Sequence, residues 1–130
     1  TLDLENVKFV PWQLNSEIID LLEFDIGIMP LTENKWSEGK CGFKILQYMA
    51  LGIPTVATPI GVNADIIEHG KNGFLASSQK EWINYLKRLL QSVPLRKELG
   101  ANGRRRVELN YSVDKYESHY LNAFERLLEK

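Results

Sequence analysis

The 130-residue chain contains a single cysteine, Cys41, and only two histidines. One cysteine excludes an internal disulfide and a cysteine-based metal cluster. Lysine plus arginine (16) nearly balances aspartate plus glutamate (17), so the net charge of −1 argues against bulk nucleic-acid binding, which needs a basic surface. No apolar run approaches membrane-spanning length, and no signal peptide is recognisable. These absences favour a cytoplasmic protein without a nucleic-acid partner.

The composition is that of an ordinary globular protein, with 44% hydrophobic and 25% charged residues. A chain of this length can bury one core, so residues 1–130 are expected to form a single domain. Thr1 is not an initiator methionine, and a strand is predicted only a few residues later, at 7–10. We therefore expect the domain to be part of a longer protein.

Short apolar runs alternate with helical patterns along the first 76 residues, and the remainder reads as helical. This order predicts an α/β fold: a Rossmann-like parallel sheet with flanking helices and a helical C-terminus. The predicted strands are residues 7–10, 26–29, 55–58 and 74–76. The predicted helices are residues 15–24, 43–51, 63–68, 78–90, 94–109 and 112–128. Residues 31–41 are predicted to form a loop.

Local signals set the predicted helix ends and buried faces. Ser78 and Glu81 have the spacing of a capping box, Pro94 suits a first helical turn, and Asn15, Asn63 and Ser112 are candidate N-caps. The predicted buried faces comprise Ile18, Leu21 and Leu22; Trp82, Tyr85, Leu86, Leu89 and Leu90; and Val113, Tyr116, Tyr120, Phe124, Leu127 and Leu128.

The most informative stretch is residues 39–54, a glycine-containing loop that leads into a short helix. A helix that begins after Gly42 exposes backbone N–H groups with no helical acceptor, and the helix dipole adds positive potential there. Lys44 in the first turn is unfavourable for that dipole unless an anion binds. The pattern therefore points to a phosphate site, whereas the alternative is a simple turn followed by a solvated lysine.

Several segments in order carry a family resemblance: NVKFV (6–10), FDIGIMP (24–30), GFKILQYMA (42–50), GIPTVA (52–57) and GKNGFL (70–75). Together they resemble the second half of the C-terminal, donor-binding domain of group 1 glycosyltransferases, which have the GT-B fold. The resemblance covers nearly the whole chain. It implies retaining transfer of a sugar from a nucleotide-sugar to a glycan or lipid-linked acceptor, in surface polysaccharide biosynthesis, with no metal or other cofactor.

The resemblance also implies roles for individual residues. The amides of Gly42 and Phe43, with Lys44, would bind the donor diphosphate, and Gln47 would bind the ribose. The family commonly has two glutamates at a fixed spacing here. In this chain Gln47 stands at the second position and Gly39 at the first, with Glu38 beside it as the candidate sugar-contacting, catalytic residue.

Two further loops are expected to open on the donor cleft, because ligands bind at the carboxyl ends of strands in open α/β sheets. They contribute Pro30 and Thr32 from one loop, and Gly61 and Asn63 from the other. In the family two strand–helix units and an acceptor-binding N-terminal domain precede this segment. We therefore expect the isolated chain to lack turnover and to bind nucleotide weakly.

The sequence is compatible with several further partners and functions. An unpaired strand at 7–10 would expose a sheet edge and favour self-association, unless it pairs with residues 26–29. The basic run 104–106 is a solvated helix face or contacts anionic lipid headgroups, which would place the full protein peripherally at the inner membrane face. The alternative functions are a non-catalytic nucleotide-binding or docking module, and another GT-B enzyme such as a nucleotide-sugar epimerase.

Overall fold

A computed structural model describes residues 5–128 and contains a parallel sheet flanked by helices. The strands β1 (Gly27–Met29), β2 (Thr55–Ala57) and β3 (Phe74–Leu75) lie in the order β1-β2-β3. All pairs are parallel, with Ile28 beside Val56 and Val56 beside Phe74. Parallel neighbours need crossover connections, and helices supply them here. The predicted α/β class is correct.

The helices of the described residues follow the predicted order with one addition. They are α1 (Glu17–Leu22), α2 (Lys35–Glu38), α3 (Phe43–Ala50), α4 (Asn63–Ile66), α5 (Gln79–Gln91), α6 (Val93–Asn110) and α7 (Val113–Leu128). Helix α3 lies on the crossover from β1 to β2, and α4 on the crossover from β2 to β3. Within residues 5–128 no helix combines the length and apolarity needed to cross a membrane.

The core has two main clusters, one on each face of the sheet, and a smaller third cluster of Leu21, Tyr48 and Ile53. Successive side chains of a strand point to opposite faces, so Ala57 packs into one cluster and Val56 into the other. The first cluster contains Ile45 and Met49 of α3, Ala57 of β2, and Ile66 and Ile67 at the end of α4. The second contains Val56, Phe74, Ala76, Leu89 and Leu99, which adds α5 and α6. Because β2 is covered on both sides, its three residues are fully buried.

The predicted caps at the C-terminal helices are confirmed. The Ser78 hydroxyl accepts from the Glu81 amide, and the Glu81 carboxylate accepts from the Ser78 amide at 3.0 Å, completing the capping box. The Ser112 hydroxyl accepts from the Lys115 amide at 3.3 Å. Pro94 lies in the first turn of α6, where a missing N–H costs nothing.

The predicted strand at residues 7–10 is wrong. These residues are irregular and exposed, with Phe9 84% accessible, and β1 pairs with β2 rather than with this segment. Strand propensity needs a neighbouring strand to supply hydrogen bonds and packing. No strand pairs with residues 7–10 in the described part of the chain, so the apolar pattern alone does not form a strand.

Three local predictions at helix starts are corrected. The predicted loop 31–41 contains α2, capped by the Asn34 side chain, which accepts from the Ser37 amide at 2.9 Å. Asn63 is the first residue of α4 rather than its cap. Helix α1 begins after Ser16 instead of Asn15, and the Ser16 hydroxyl donates to Asp20 rather than accepting from the backbone.

Some residues of the predicted buried faces are exposed. Leu89 is completely buried on α5, whereas Leu90 is 68% exposed. On α1 only Leu21 is buried, while Ile18 and Leu22 are exposed. Helix α7 buries none of its predicted stripe. Periodicity identifies a face that is apolar, but a face is buried only where another element packs against it.

Candidate functional site

Thr58 joins the two loops that leave the carboxyl ends of β1 and β2. Its amide donates to the Met29 carbonyl at 3.2 Å, and its hydroxyl accepts from the Leu31 amide at 3.0 Å. Its carbonyl accepts from the Asn63 side-chain amide at 2.9 Å. Asn63 is fully buried, and its Oδ1 has no hydrogen-bond partner among the described residues. Asn63 therefore stabilises the loop after β2 from the protein interior, through its hydrogen bond to Thr58.

A second contact brings the α2 segment against the loop after β2. Gly61 has a positive φ of 55°, and a Cβ there would lie 2.6 Å from the Glu38 carbonyl oxygen. Only glycine fits this approach without strain. A cavity of about 270 Å³ opens at this edge, lined by Leu31, Glu33, Thr58, Pro59, Ile60 and Ser77. Pro30 and Thr32 are exposed in the same loop but do not line this cavity.

The start of α3 has the geometry expected for a helix that presents free amides. Gly42 is the N-cap at φ 67°, and a Cβ there would lie 2.5 Å from Ile66 Cδ1. The N–H groups of Phe43 and Lys44 lie in the first turn and have no intrahelical acceptor. Phe43 is exposed and so is the neighbouring Cys41. The helix start is therefore open to solvent at Phe43 and Lys44, whereas Gly42 itself is buried.

Lys44 and Gln47 meet at one carboxylate, that of Glu17 on α1. Glu17 Oε1 accepts from Lys44 Nζ at 3.1 Å and from Gln47 Nε2 at 3.0 Å. The hydrogen bond from Gln47, with those from Lys44 and Trp12, holds the pKa of Glu17 below its ordinary value. The i, i+3 spacing places Lys44 and Gln47 on one side of α3, and that side faces α1.

A cavity of about 550 Å³ lies beside this cluster, between α1, α3 and the segment 8–12. Its walls are Lys8, Val10, Pro11, Trp12, Glu17, Asp20, Leu21, Glu23, Phe24, Lys44 and Tyr48. Burial raises the pKa of Tyr48. Gln47 does not line this cavity, and its Oε1 is buried without a partner among the described residues. This cavity is larger than the one at the strand ends.

The structure thus brings four of the predicted site residues together in two pairs. Lys44 and Gln47 lie together on the α1 side of α3. Glu38 and Gly61 lie together at the carboxyl ends of the strands, where Asn63 is internal. Within residues 5–128 no group of three or more His, Cys, Asp or Glu side chains is arranged to hold a metal ion.

Sequence reasoning missed Glu17 as a site residue, and it missed the wall formed by Trp12. Glu17 precedes Lys44 by 27 positions, so no local spacing connects the two. An acidic residue in a first helical turn is usually explained by the helix dipole alone. The one available signal was the unfavourable position of Lys44, which indicated that some anion lies near it.

The chain has a parallel α/β fold, with loop contacts at the carboxyl edge of its sheet. In open folds of this class, ligands bind at that edge. The family model for glycosyl transferases group 1 matches residues 1–92. The chain belongs to this family. The resemblance stated from the sequence is therefore confirmed.

Two curated relatives support the assignment. Glycosyltransferase 1 domain-containing protein 1 of Xenopus tropicalis is 33% identical over 96 residues, which cover 71% of this chain and 28% of the relative. Spore coat protein SA of Bacillus subtilis is 31% identical over 81 residues, covering 60% of this chain and 22% of the relative. The chain therefore matches about a quarter of the length of these curated relatives.

Solved structures share the fold. HepE of Anabaena, crystallised with UDP and glucose, superposes with a TM-score of 0.81 at 22% identity, covering 95% of this chain and 33% of HepE. The C-terminal domain of the group 1 glycosyl transferase LpcC of Francisella tularensis gives 0.67 at 24% identity, covering 82% and 53%. TarM of S. aureus gives 0.73 at 23% identity, covering 94% and 24%. The chain has the fold of a GT-B C-terminal domain.

Proposed function

We propose that this chain is the donor-binding part of a retaining glycosyltransferase that uses a nucleotide-sugar. The acceptor would be a glycan or lipid-linked glycan in surface polysaccharide biosynthesis, at the cytoplasmic face of the membrane, bound through a further domain. Family membership supports the transferase class. The structures of HepE with UDP and glucose and of TarM with UDP support a nucleotide-sugar donor.

The observation that carries the proposal is the position of Lys44. Lys44 belongs to the first turn of α3, in which the free amides follow Gly42, and it lines the 550 Å³ cavity with its ammonium 3.1 Å from the Glu17 carboxylate. Departure of a nucleoside diphosphate leaves negative charge on its oxygens, and amides and an ammonium fixed nearby stabilise that charge. The diphosphate would bind at Gly42, Phe43 and Lys44.

The nucleoside then fits the 550 Å³ cavity. Trp12, Phe24 and Tyr48 supply apolar, aromatic walls on which a base stacks. Lys44 joins this cavity to the start of α3, so a nucleotide can span both with its diphosphate at the helix. Glu38, Pro30, Thr32 and Gly61 would then lie on the side of the donor sugar, with Glu38 hydrogen-bonded to sugar hydroxyls. No metal or other cofactor is required by this arrangement.

Isothermal calorimetry of the chain with UDP, GDP and ADP tests the proposal, in wild type and in Lys44→Ala. We expect one of these nucleotides to bind and Lys44→Ala to weaken it by at least about tenfold, because a charge-assisted contact to phosphate is lost. Lys87→Ala, which removes an exposed lysine from α5, is the matched control and should bind as wild type does. Absence of binding by all three nucleotides, or equal binding by Lys44→Ala, would overturn the proposal.

A docking role for the C-terminal helices is a second candidate, favoured by one observation. Helix α7 buries none of its residues, and its apolar side chains are exposed, among them Tyr120, Phe124 and Leu127. An exposed apolar face of this kind is typical of a contact with another domain or protein. This role is compatible with donor binding, because α7 lies outside the candidate donor site.

A further inference from the structure

We propose that Glu17, rather than Gln47, is the residue that binds the ribose hydroxyls of the donor. This inference rests on the proposed function, since it assigns a group within the same nucleotide site. It moves the ribose contact from α3 to α1, onto a residue that sequence spacing does not connect with the site. Gln47 becomes a positioning residue that acts through Glu17.

Access to the cavity distinguishes the two side chains. Glu17 lines the 550 Å³ cavity, and its side chain keeps 20% of its surface exposed. Gln47 does not line the cavity. Its Nε2 is committed to Glu17, and its Oε1 is buried. A ligand in the cavity therefore meets the carboxylate before it can meet the carboxamide.

The chemistry of Glu17 suits a ribose diol. An ionised carboxylate only accepts hydrogen bonds, and its two oxygens offer about four acceptor positions. A hydrogen bond from Trp12 uses one of these positions, and Lys44 and Gln47 use two more, both at Oε1, so capacity remains for one hydroxyl donor. The same two contacts fix the carboxylate against α3 and help to keep it charged. A fixed carboxylate can bind a diol without first being ordered.

Neighbouring charges point to Glu17 rather than to the other acids of the cavity. Asp20 accepts from the Ser16 hydroxyl at 2.7 Å, and Glu23 lies 3.9 Å from Lys8. The described ion pairs and hydrogen bonds of these two acids do not reach α3. Glu17 contacts Lys44, the proposed diphosphate ligand, and in a nucleotide the ribose adjoins the diphosphate. Glu17 is therefore the acid placed where the ribose would lie.

The test compares UDP with 2′,3′-dideoxy-UDP by calorimetry, using wild type, Glu17→Gln and Glu17→Asp. If GDP or ADP is the nucleotide that binds, its dideoxy form is used instead. The two ligands have the same diphosphate, so their affinity ratio reports only the ribose hydroxyls. This matters because neutralising Glu17 also frees Lys44 and can strengthen binding of both ligands equally.

We expect wild type to prefer UDP by about tenfold, the effect of hydrogen bonds to a charged group. Glu17→Gln should reduce this preference to about twofold or less, and Glu17→Asp should keep part of it. Glu98→Gln removes an exposed carboxylate on α6 that does not line this cavity, and should retain the full preference. Circular dichroism and thermal melting establish that each variant is folded.

The outcomes separate this inference from the function on which it rests. Binding of UDP that depends on Lys44, with no preference for ribose in wild type, overturns the role of Glu17 and leaves donor binding intact. The same holds if Glu17→Gln and Glu17→Asp both keep the wild-type preference. Absence of any nucleotide binding overturns both proposals together.

Discussion

Gly52 and Gly100 lie in direct contact where the turn after α3 meets α6. The carbonyl oxygen of Gly52 occupies the space that a side chain at residue 100 would need, and the Gly52 carbonyl carbon would lie 2.9 Å from a Cβ there. Gly100 is buried within α6, where glycine is otherwise unfavourable. The close approach explains why residue 100 is a glycine, because the absence of a side chain lets α6 pack against the turn between α3 and β2.

Replacement of Gly100 by alanine should therefore destabilise the protein despite the better helix propensity of alanine. Backbone atoms of Gly52 must move, and overpacking of this kind costs about 1–3 kcal/mol. Urea unfolding followed by circular dichroism measures the loss. Gly39→Ala is the control: its Cβ would meet the nearest atom at an ordinary 3.7 Å. A Gly100→Ala variant as stable as wild type would show that the two elements can separate freely.

Leu89 and Leu90 provide a matched pair of adjacent, chemically identical positions on α5. Leu89 is fully buried in the cluster with Phe74 and Leu99, whereas Leu90 is 68% exposed. Leu89→Ala should cost about 2–5 kcal/mol, because it removes buried surface and leaves a cavity. Leu90→Ala should change the unfolding free energy by no more than about 0.5 kcal/mol. Equal effects on the urea midpoint would contradict the orientation of α5.

The fold could be predicted from sequence wherever local chemistry determines structure. The Ser78–Glu81 box and the buried strand β2 both follow from neighbouring residues. Burial of a given leucine depends instead on which elements pack together, so the apolar pattern of α5 did not separate Leu89 from Leu90. The prediction of a strand at residues 7–10 was wrong for a related reason. A strand needs a neighbouring strand to pair with, and the residues of the segment do not specify one.

The same limit applies to the candidate site. Gly42, Lys44 and Gln47 belong to one short segment, and the i, i+3 spacing of Lys44 and Gln47 is enough to place both on one side of α3. Glu17 comes from a different element, and its contact with Lys44 arises only when α1 packs beside α3. An unfavourable charge at a helix start was visible in the sequence. The sequence did not reveal which residue compensates this charge, because that residue comes close to Lys44 only in the folded structure.

The capping box of α5 should make stability depend on pH in the acid range. Two backbone hydrogen bonds, from Ser77 and Ser78, hold the pKa of Glu81 below its ordinary value of 4.5. A carboxyl with a lowered folded-state pKa stabilises the protein fully above the unfolded-state value, and this contribution disappears as the pH falls through the lowered value. Glu81 therefore stabilises the protein at neutral pH and ceases to do so in acid.

We expect Glu81→Gln to be less stable than wild type at neutral pH, with the difference shrinking once the pH falls below about 4.5. Urea unfolding at a series of pH values measures the difference. Ser78→Ala is the control, because it removes the other half of the box without removing a titrating group. It should cost about 1 kcal/mol at neutral pH and keep most of that cost in acid. A constant difference for Glu81→Gln across the whole range would show that the carboxylate charge contributes nothing to the cap.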